Sequence, residues 1–148
     1  MILITDSNII FSALIKPTGV VASILKKEKK FQFVAPNYLK EEIKIHWEKI
    51  KKGTDLSAKE LQKEWKFYQE HINFFDESEI SFEDFDRAYE IVKDIDEKDV
   101  IFVASHYHTK LKVWCSDEEL VNAVREKGFT KIFITTSELK SKLYKKKK

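Results

Sequence analysis

The stretch MILITDSNIIFSAL, residues 1–14, decides the fold. Met1 to Thr5 is a short apolar run that stops at Asp6, and such a run reads as a buried strand. Residues 7–16 then read as a helix, closed by the breaker cluster Pro17, Thr18 and Gly19. A buried strand that hands over directly to a helix is the opening unit of an α/β sheet.

The same alternation continues outward. Residues 20–30 read as a helix, and Phe31 to Ala35 as a second strand stopped by Pro36. Residues 37–51 read as one amphipathic helix, with Leu39, Ile43, Trp47 and Ile50 at helical spacing and Gly53 marking its end. Ser57 with Glu60 forms a capping box. It opens a long helix over 57–75, whose stripe of Leu61, Trp65, Tyr68, Ile72 and Phe75 is expected to pack on the 37–51 helix. Ser81 with Asp84 opens the next helix, through Phe85, Ala88, Tyr89 and Val92. Asp96 with Asp99 opens another, whose VIFVA start (100–104) is apolar all round and therefore expected to be buried. Lys112 to Cys115 reads as a strand, 117–127 as a helix ending at Gly128, 131–135 as a strand and 137–145 as a last helix.

Short apolar strands alternating with helices specify a parallel sheet covered on both faces. The expected class is α/β: a three-layer α/β/α fold with a central parallel sheet flanked by helices. A chain of 148 residues is one domain by length. We place that domain at residues 1–139, followed by a lysine-rich tail at 140–148. The tail, KSKLYKKKK, holds six lysines; without them the net charge of +2 becomes −4 for the rest of the chain. It reads either as a basic arm for phosphate backbones or as a solvated helix end.

Composition excludes several classes. One cysteine, Cys115, permits no intramolecular disulfide and no Cys-based zinc site. Three glycines, Gly19, Gly53 and Gly128, cannot write a P-loop or a dinucleotide-binding fingerprint. No apolar run is long enough to span a membrane, and the N-terminus lacks a basic segment of the kind that opens a secretion signal. The expected location is the cytoplasm. His46, His71, His106 and His108 form no pair spaced for metal on one helix face. Trp47, Trp65 and Trp114 fall on apolar stripes and read as core. Cys115, on a strand without an evident base, reads as a small buried hydrophobe.

Ligands of open α/β sheets bind outside the carboxyl ends of the strands. Carboxylates gather there. Asp6 ends the first strand, Ser116 and Asp117 follow KVWC, Asp96 and Asp99 open the buried helix, and Glu41 and Glu42 lie in the first turn after the second strand. Acids in first turns also serve as helix caps, and Ser116 with Glu119 reads as a capping box. Asp6 is harder to explain as a cap alone, because a carboxylate ending a central strand needs a partner. Crowded carboxylates repel unless a cation neutralises them, and oxygen ligands suit Mg²⁺ or Mn²⁺.

Four segments, in order, resemble the PIN-domain family of metal-dependent nucleases, and the resemblance covers nearly the whole chain. ITDSNIIFSAL is similar to the family's strand ending in Asp, with Asn two residues on; APNYLKEEI to its helix carrying the second acid; IDEKDVIFVA to the third motif; VWCSDEEL to the fourth. The D-x-K-D and W-x-x-D patterns place it nearest a subgroup described only as nucleic-acid binding. The resemblance implies that Asp6, Glu42, Asp99 and Asp117 are catalytic and bind Mg²⁺ or Mn²⁺, with Asp96 assisting, and that Asn8 and Ser116 support the site. It implies an endoribonuclease cleaving RNA with a metal-activated water. It also implies a toxin of a toxin–antitoxin pair, of the VapC type, with an antitoxin protein and a homodimer as partners and no membrane. One departure stands out: Cys115 occupies a position where many members carry Thr or Ser, a stronger donor. The substrate-binding residues are not legible, since Lys and Arg are dispersed outside the tail. The alternative reading is a PIN-like module that binds nucleic acid or protein with little turnover. A phosphate-accepting receiver domain, which also has an acidic Mg²⁺ pocket, fits less well because Asp6 lies on the first strand.

Overall fold

A computed structural model describes residues 1–27 and 29–145. In chain order the elements are β1 (Ile2–Thr5), α1 (Ser7–Ile15), α2 (Val20–Lys27), β2 (Gln32–Pro36), α3 (Tyr38–Ile45), α4 (Trp47–Gly53), α5 (Ala58–His71) and β3 (Ile72–Phe75). They continue with α6 (Phe82–Val92), α7 (Val100–Thr109), β4 (Val113–Trp114), α8 (Glu118–Glu126), β5 (Phe133–Ile134) and α9 (Thr136–Lys145). The five strands form one sheet in the order β3-β2-β1-β4-β5. Every pairing is parallel: Ile2 faces Gln32, Ile4 faces Val113, Phe33 faces Ile72 and Trp114 faces Ile134. Helices flank the sheet in the expected α/β/α arrangement.

The order explains why β1 is so apolar. It is the central strand, and Leu3, Ile4 and Thr5 are buried. The chain leaves β1 toward β2 on one side and later returns to β4 on the other. That reversal makes the carboxyl ends of β1 and β4 the topological switch point, where open sheets bind ligands. Helix α7 packs on β1, β2 and β4. Its Phe102, Val103, Ala104 and Ser105 are buried, as its apolar start predicts. Trp114 is fully buried, with its ring centroid 5.7 Å from that of Phe33, and belongs to the core.

Four expectations are corrected. The 57–75 helix ends at His71, and Ile72 to Phe75 form β3, paired with β2. Helical spacing continues through this run by coincidence, and pairing with an exposed sheet edge overrides it. The 37–51 helix is two helices, broken at His46, whose φ of −98° and ψ of 12° leave the helical region. Both pieces pack on α1, and the break lets Ile43 and Ile50 each reach the core. Helix α5 packs mainly on α1 rather than on the 37–51 segment. The cap of α8 is Asp117, not Ser116: Asp117 Oδ1 accepts the Leu120 N–H at 3.2 Å. Ser116 stays exposed. The capping box at Ser57 and the Ser81 cap, which accepts the Asp84 N–H at 3.1 Å, start α5 and α6 as expected. Helix α9 runs across the expected boundary at residue 139, and Lys146 to Lys148 of the tail lie outside the described residues.

Candidate active site

Asp6 is the first residue after β1 and the N-cap of α1, with Oδ1 accepting the Ile9 N–H at 3.0 Å. Only 2% of it is exposed. Burial is the main reason its carboxyl is pushed up to about 6; Glu42 and Asp117 add repulsion, while the Cys115 thiol and the Ile9 amide oppose the rise. Asp117 holds the equivalent place after β4. The two strands are neighbours, so these acids leave the sheet side by side.

Asp99 sits at the N-terminus of α7 and is pushed up to about 8. Burial is again the first cause, followed by the charges of Asp6 and Asp96 and, more weakly, Asp117. Glu42, on α3, accepts a hydrogen bond from the Ser7 hydroxyl at 3.1 Å. Its carboxyl is also raised, by burial and by Asp96, against the pull of Ser7 and the Lys98 ammonium. Asp96 caps the 3-10 turn before α7, its Oδ1 accepting the Lys98 N–H at 3.0 Å. Asp6 therefore feels Glu42 and Asp117, and Asp99 feels Asp6, Asp96 and Asp117. All five acids lie at one end of the sheet.

In this arrangement, no three His, Cys, Asp or Glu side chains among the described residues stand close enough together to hold a metal ion. Asp6 and Asp117 each turn one oxygen to a helix amide. The donor set nevertheless fits a hard divalent cation in kind: it is all carboxylate, and burial and mutual repulsion push Asp6 and Asp99 toward the protonated form. A cation would relieve both costs.

A cleft of about 330 Å³ opens beside these acids. Glu42, Asp96 and Asp99 line it with Ser7 and Asn8; Phe11 and His46 supply an aromatic wall, and Lys49 and Lys98 supply cations. Phe11 and His46 meet edge to face, with centroids 5.4 Å apart. A second cleft, of about 450 Å³, runs along the other side of α1 past Lys16, Ser116 and Asp117. Asn8 and Phe11 line both, so α1 is the ridge between them. Phe11, His46, Lys49 and Lys98 had no sequence signal of their own, although Lys98 lies inside the D-x-K-D pattern. Cys115 is fully buried; burial and the adjacent Asp6 charge push its thiol up, so it stays neutral and bonds to Asp6 as a weak donor rather than acting as a nucleophile.

The crystal structure of VapBC2 from Rickettsia felis bound to a DNA fragment from their promoter contains a chain of the same fold, with a TM-score of 0.66. The match covers 91% of this chain and 98% of that one at 10% identity. Among curated proteins, none matches the sequence. The PIN domain pattern matches residues 4–141, a span that begins within β1, ends within α9 and contains every carboxylate described above. The chain belongs to the PIN domain family.

Proposed function

We propose that this chain is a PIN-type ribonuclease that hydrolyses RNA phosphodiester bonds at the carboxyl ends of β1 and β4. The observation that carries this reading is the set of mutually repelling acids at the switch point, Asp6 buried and the others half-buried, with the Asp6 carboxyl pushed up to about 6 and that of Asp99 to about 8. Asp6, Glu42, Asp99 and Asp117 would hold Mg²⁺ or Mn²⁺, with Asp96 at the margin. The bound cation supplies charge neutralisation at the phosphate and a water of lowered pKa.

The remaining work falls to the chain itself. Ser7 orients Glu42 through its hydrogen bond. The amides of Ile9 and Leu120 fix Asp6 and Asp117, leaving each a second oxygen to turn toward the cation. Lys49 and Lys98 face the cleft as counter-charges for phosphate, and the Phe11–His46 wall offers an aromatic surface for an unstacked base. Cys115, as a weak donor to Asp6, holds that carboxylate less firmly than a hydroxyl does.

A partner protein extends the reading. The likeness to a chain of the VapBC2 assembly supports a toxin role with an antitoxin partner; a homodimer as the working unit rests on the family resemblance. The second reading, a binding module with little turnover, draws on the acids not being gathered into a cage. Cleavage of single-stranded RNA with and without Mn²⁺ separates the two, with Asp6→Asn as the control for contaminating nuclease. Mn²⁺-dependent cleavage that Asp6→Asn abolishes supports the nuclease; cleavage that the variant retains, or none at all, overturns it.

A further inference from the structure

Helix α7 carries charge at both ends. Its N-terminus presents Asp99, and its C-terminus delivers the chain to a basic cleft of about 700 Å³ at the opposite end of the strands. Lys110, in the left-handed conformation at φ 64°, turns the chain out of α7 and into β4. Lys112 immediately precedes β4 and Lys131 lies just before β5; the two strands enter the sheet side by side, with the Val113 N–H donating to the Ile132 carbonyl at 2.8 Å. Arg87 on α6 closes the cleft, its guanidinium 4.9 Å from the centre of the Tyr107 ring. Three separate segments thus bring four cations to one opening.

Among the described residues, Arg87, Lys110, Lys112 and Lys131 form no ion pair. Asp84 is the one acid lining the cleft. The His106 imidazole registers the field: burial lowers its pKa first, and Lys112 and Lys110 lower it further, while its Nδ1 stays bonded to the Leu111 carbonyl at 2.7 Å. The contact of Arg87 with the ring face uses none of its N–H donors, which stay available to a phosphate. Exposed cations with an aromatic beside them match the chemistry of a single strand's backbone.

We propose that the cleft formed by Arg87, Lys110, Lys112 and Lys131 is a second RNA-backbone site, holding phosphates of a strand whose scissile bond lies at the carboxylate end. The inference takes RNA as ligand from the reading above but does not need turnover. The ten residues of α7 span about 15 Å, so an extended strand needs at least two to three nucleotides to reach from one site to the other. The cleft gives long RNA an anchor that the acidic end, left to itself, repels.

The test uses the full chain, a fluorescein-labelled single-stranded RNA of about 16 nucleotides, and EDTA to silence the acidic end. Anisotropy is read at about 50 and 200 mM salt. Replacing Lys110, Lys112 and Lys131 together by Ala should weaken binding about tenfold and flatten the salt slope by about 2. The Lys→Arg triple should keep wild-type affinity, and Asp6→Asn should bind as well as wild type or better. With Mn²⁺, the Ala triple should raise KM for the long RNA but leave cleavage of a dinucleotide, too short to span, unchanged. Wild-type affinity and salt slope in the Ala triple overturn the proposal. So does a glutamate-rich peptide that binds the cleft more tightly than RNA of equal charge, which would make an acidic protein segment the ligand. If the lysine-dependent binding is seen and no RNA is ever cleaved, the nuclease reading fails and this site stands. Mn²⁺-dependent cleavage with unchanged binding by the Ala triple gives the reverse.

Discussion

The two ends of α7 make an instructive pair. At its N-terminus, the buried Asp6 and the half-buried Asp99 repel each other; at its C-terminus, Lys110 and Lys112 are exposed and stand apart from any counter-ion among the described residues. The helix dipole favours both placements, acids at the positive end and bases at the negative. Burial makes the difference between them. Crowded acids in a low-dielectric site shift their ionisation by units and call for a cation in a defined place. Exposed bases lose little by being close, because water screens them, and they create a field rather than a coordination site. The first arrangement suits chemistry and the second suits attraction of a polyanion.

Removing an acid breaks the comparison most sharply. Asp99→Asn should lower Mn²⁺-dependent RNA cleavage at least about a hundredfold, since even outer partners of metal ligands cost 10–100-fold. RNA binding in EDTA should be unchanged, because the basic end is intact. Single-turnover cleavage and anisotropy on the same preparation check both. Equal loss of binding would mean that the two ends are not separable.

Metal and pH probe the same burial through stability. Asp6 at about 6 and Asp99 at about 8 lie above their ordinary 3.8, so between these values the folded chain holds protons that the unfolded chain has released. The stability they contribute is full below about pH 4 and is lost as pH rises through about 6 and then about 8. Melting in EDTA should therefore decline across this window, Asp6→Asn should remove the lower step, and Asp99→Asn the upper. Mn²⁺ at a hundredfold excess over Kd should add about 2.7 kcal/mol, roughly 5–10 °C in Tm, and level the decline. Matched monovalent salt should do neither. A rise in Tm with pH in EDTA would contradict the placement of the acids.

A change remote from both ends calibrates these effects. Ser57→Ala removes one half of the capping box of α5, in which Ser57 accepts the Glu60 N–H at 3.2 Å and Glu60 accepts the Ser57 N–H at 2.9 Å. It should cost about 1 kcal/mol, seen in denaturant unfolding, and leave cleavage and RNA affinity unchanged. The smallest expected effect is at Cys115. Cys115→Ser places a stronger donor beside Asp6, and cleavage should rise about twofold to fivefold, within the range that partners of metal ligands command. The step assigned to Asp6 in the pH melting profile should move down. A fall in cleavage at unchanged Tm would show that the thiol has a role that a hydroxyl does not meet.

Four of the five acids, Asp6, Asp96, Asp99 and Asp117, were legible because they adjoin element boundaries that composition announces, whereas Glu42, expected in a first turn, lies further inside α3, whose first turn holds Glu41 alone. Asp6 follows ILIT, Asp117 follows VWCS, and Asp99 precedes VIFV. A one-dimensional rule, acids where strands end and helices begin, finds these four. The same rule misassigned the cap of α8, because Ser116 and Asp117 are adjacent and equally suited. It also missed β3, where INFF continues the helical stripe of α5 and only pairing with β2 decides for the strand. His46 and Lys49 reach the cleft because the chain breaks at His46 between α3 and α4, a break with no glycine or proline to signal it.

By itself the sequence determined the alternation of strands and helices, the burial of α7 and the acids at one end of the sheet, because apolar spacing and helix caps act within a few residues. Only the tertiary structure decided which groups meet across elements. Arg87, Lys110, Lys112 and Lys131 are spread over 45 positions of a chain whose lysines and arginines look dispersed outside the tail. They converge because β4 and β5 enter the sheet side by side and α6 packs on α7. Strand order is set by long-range pairing and by the packing of whole helices, and no local pattern encodes it.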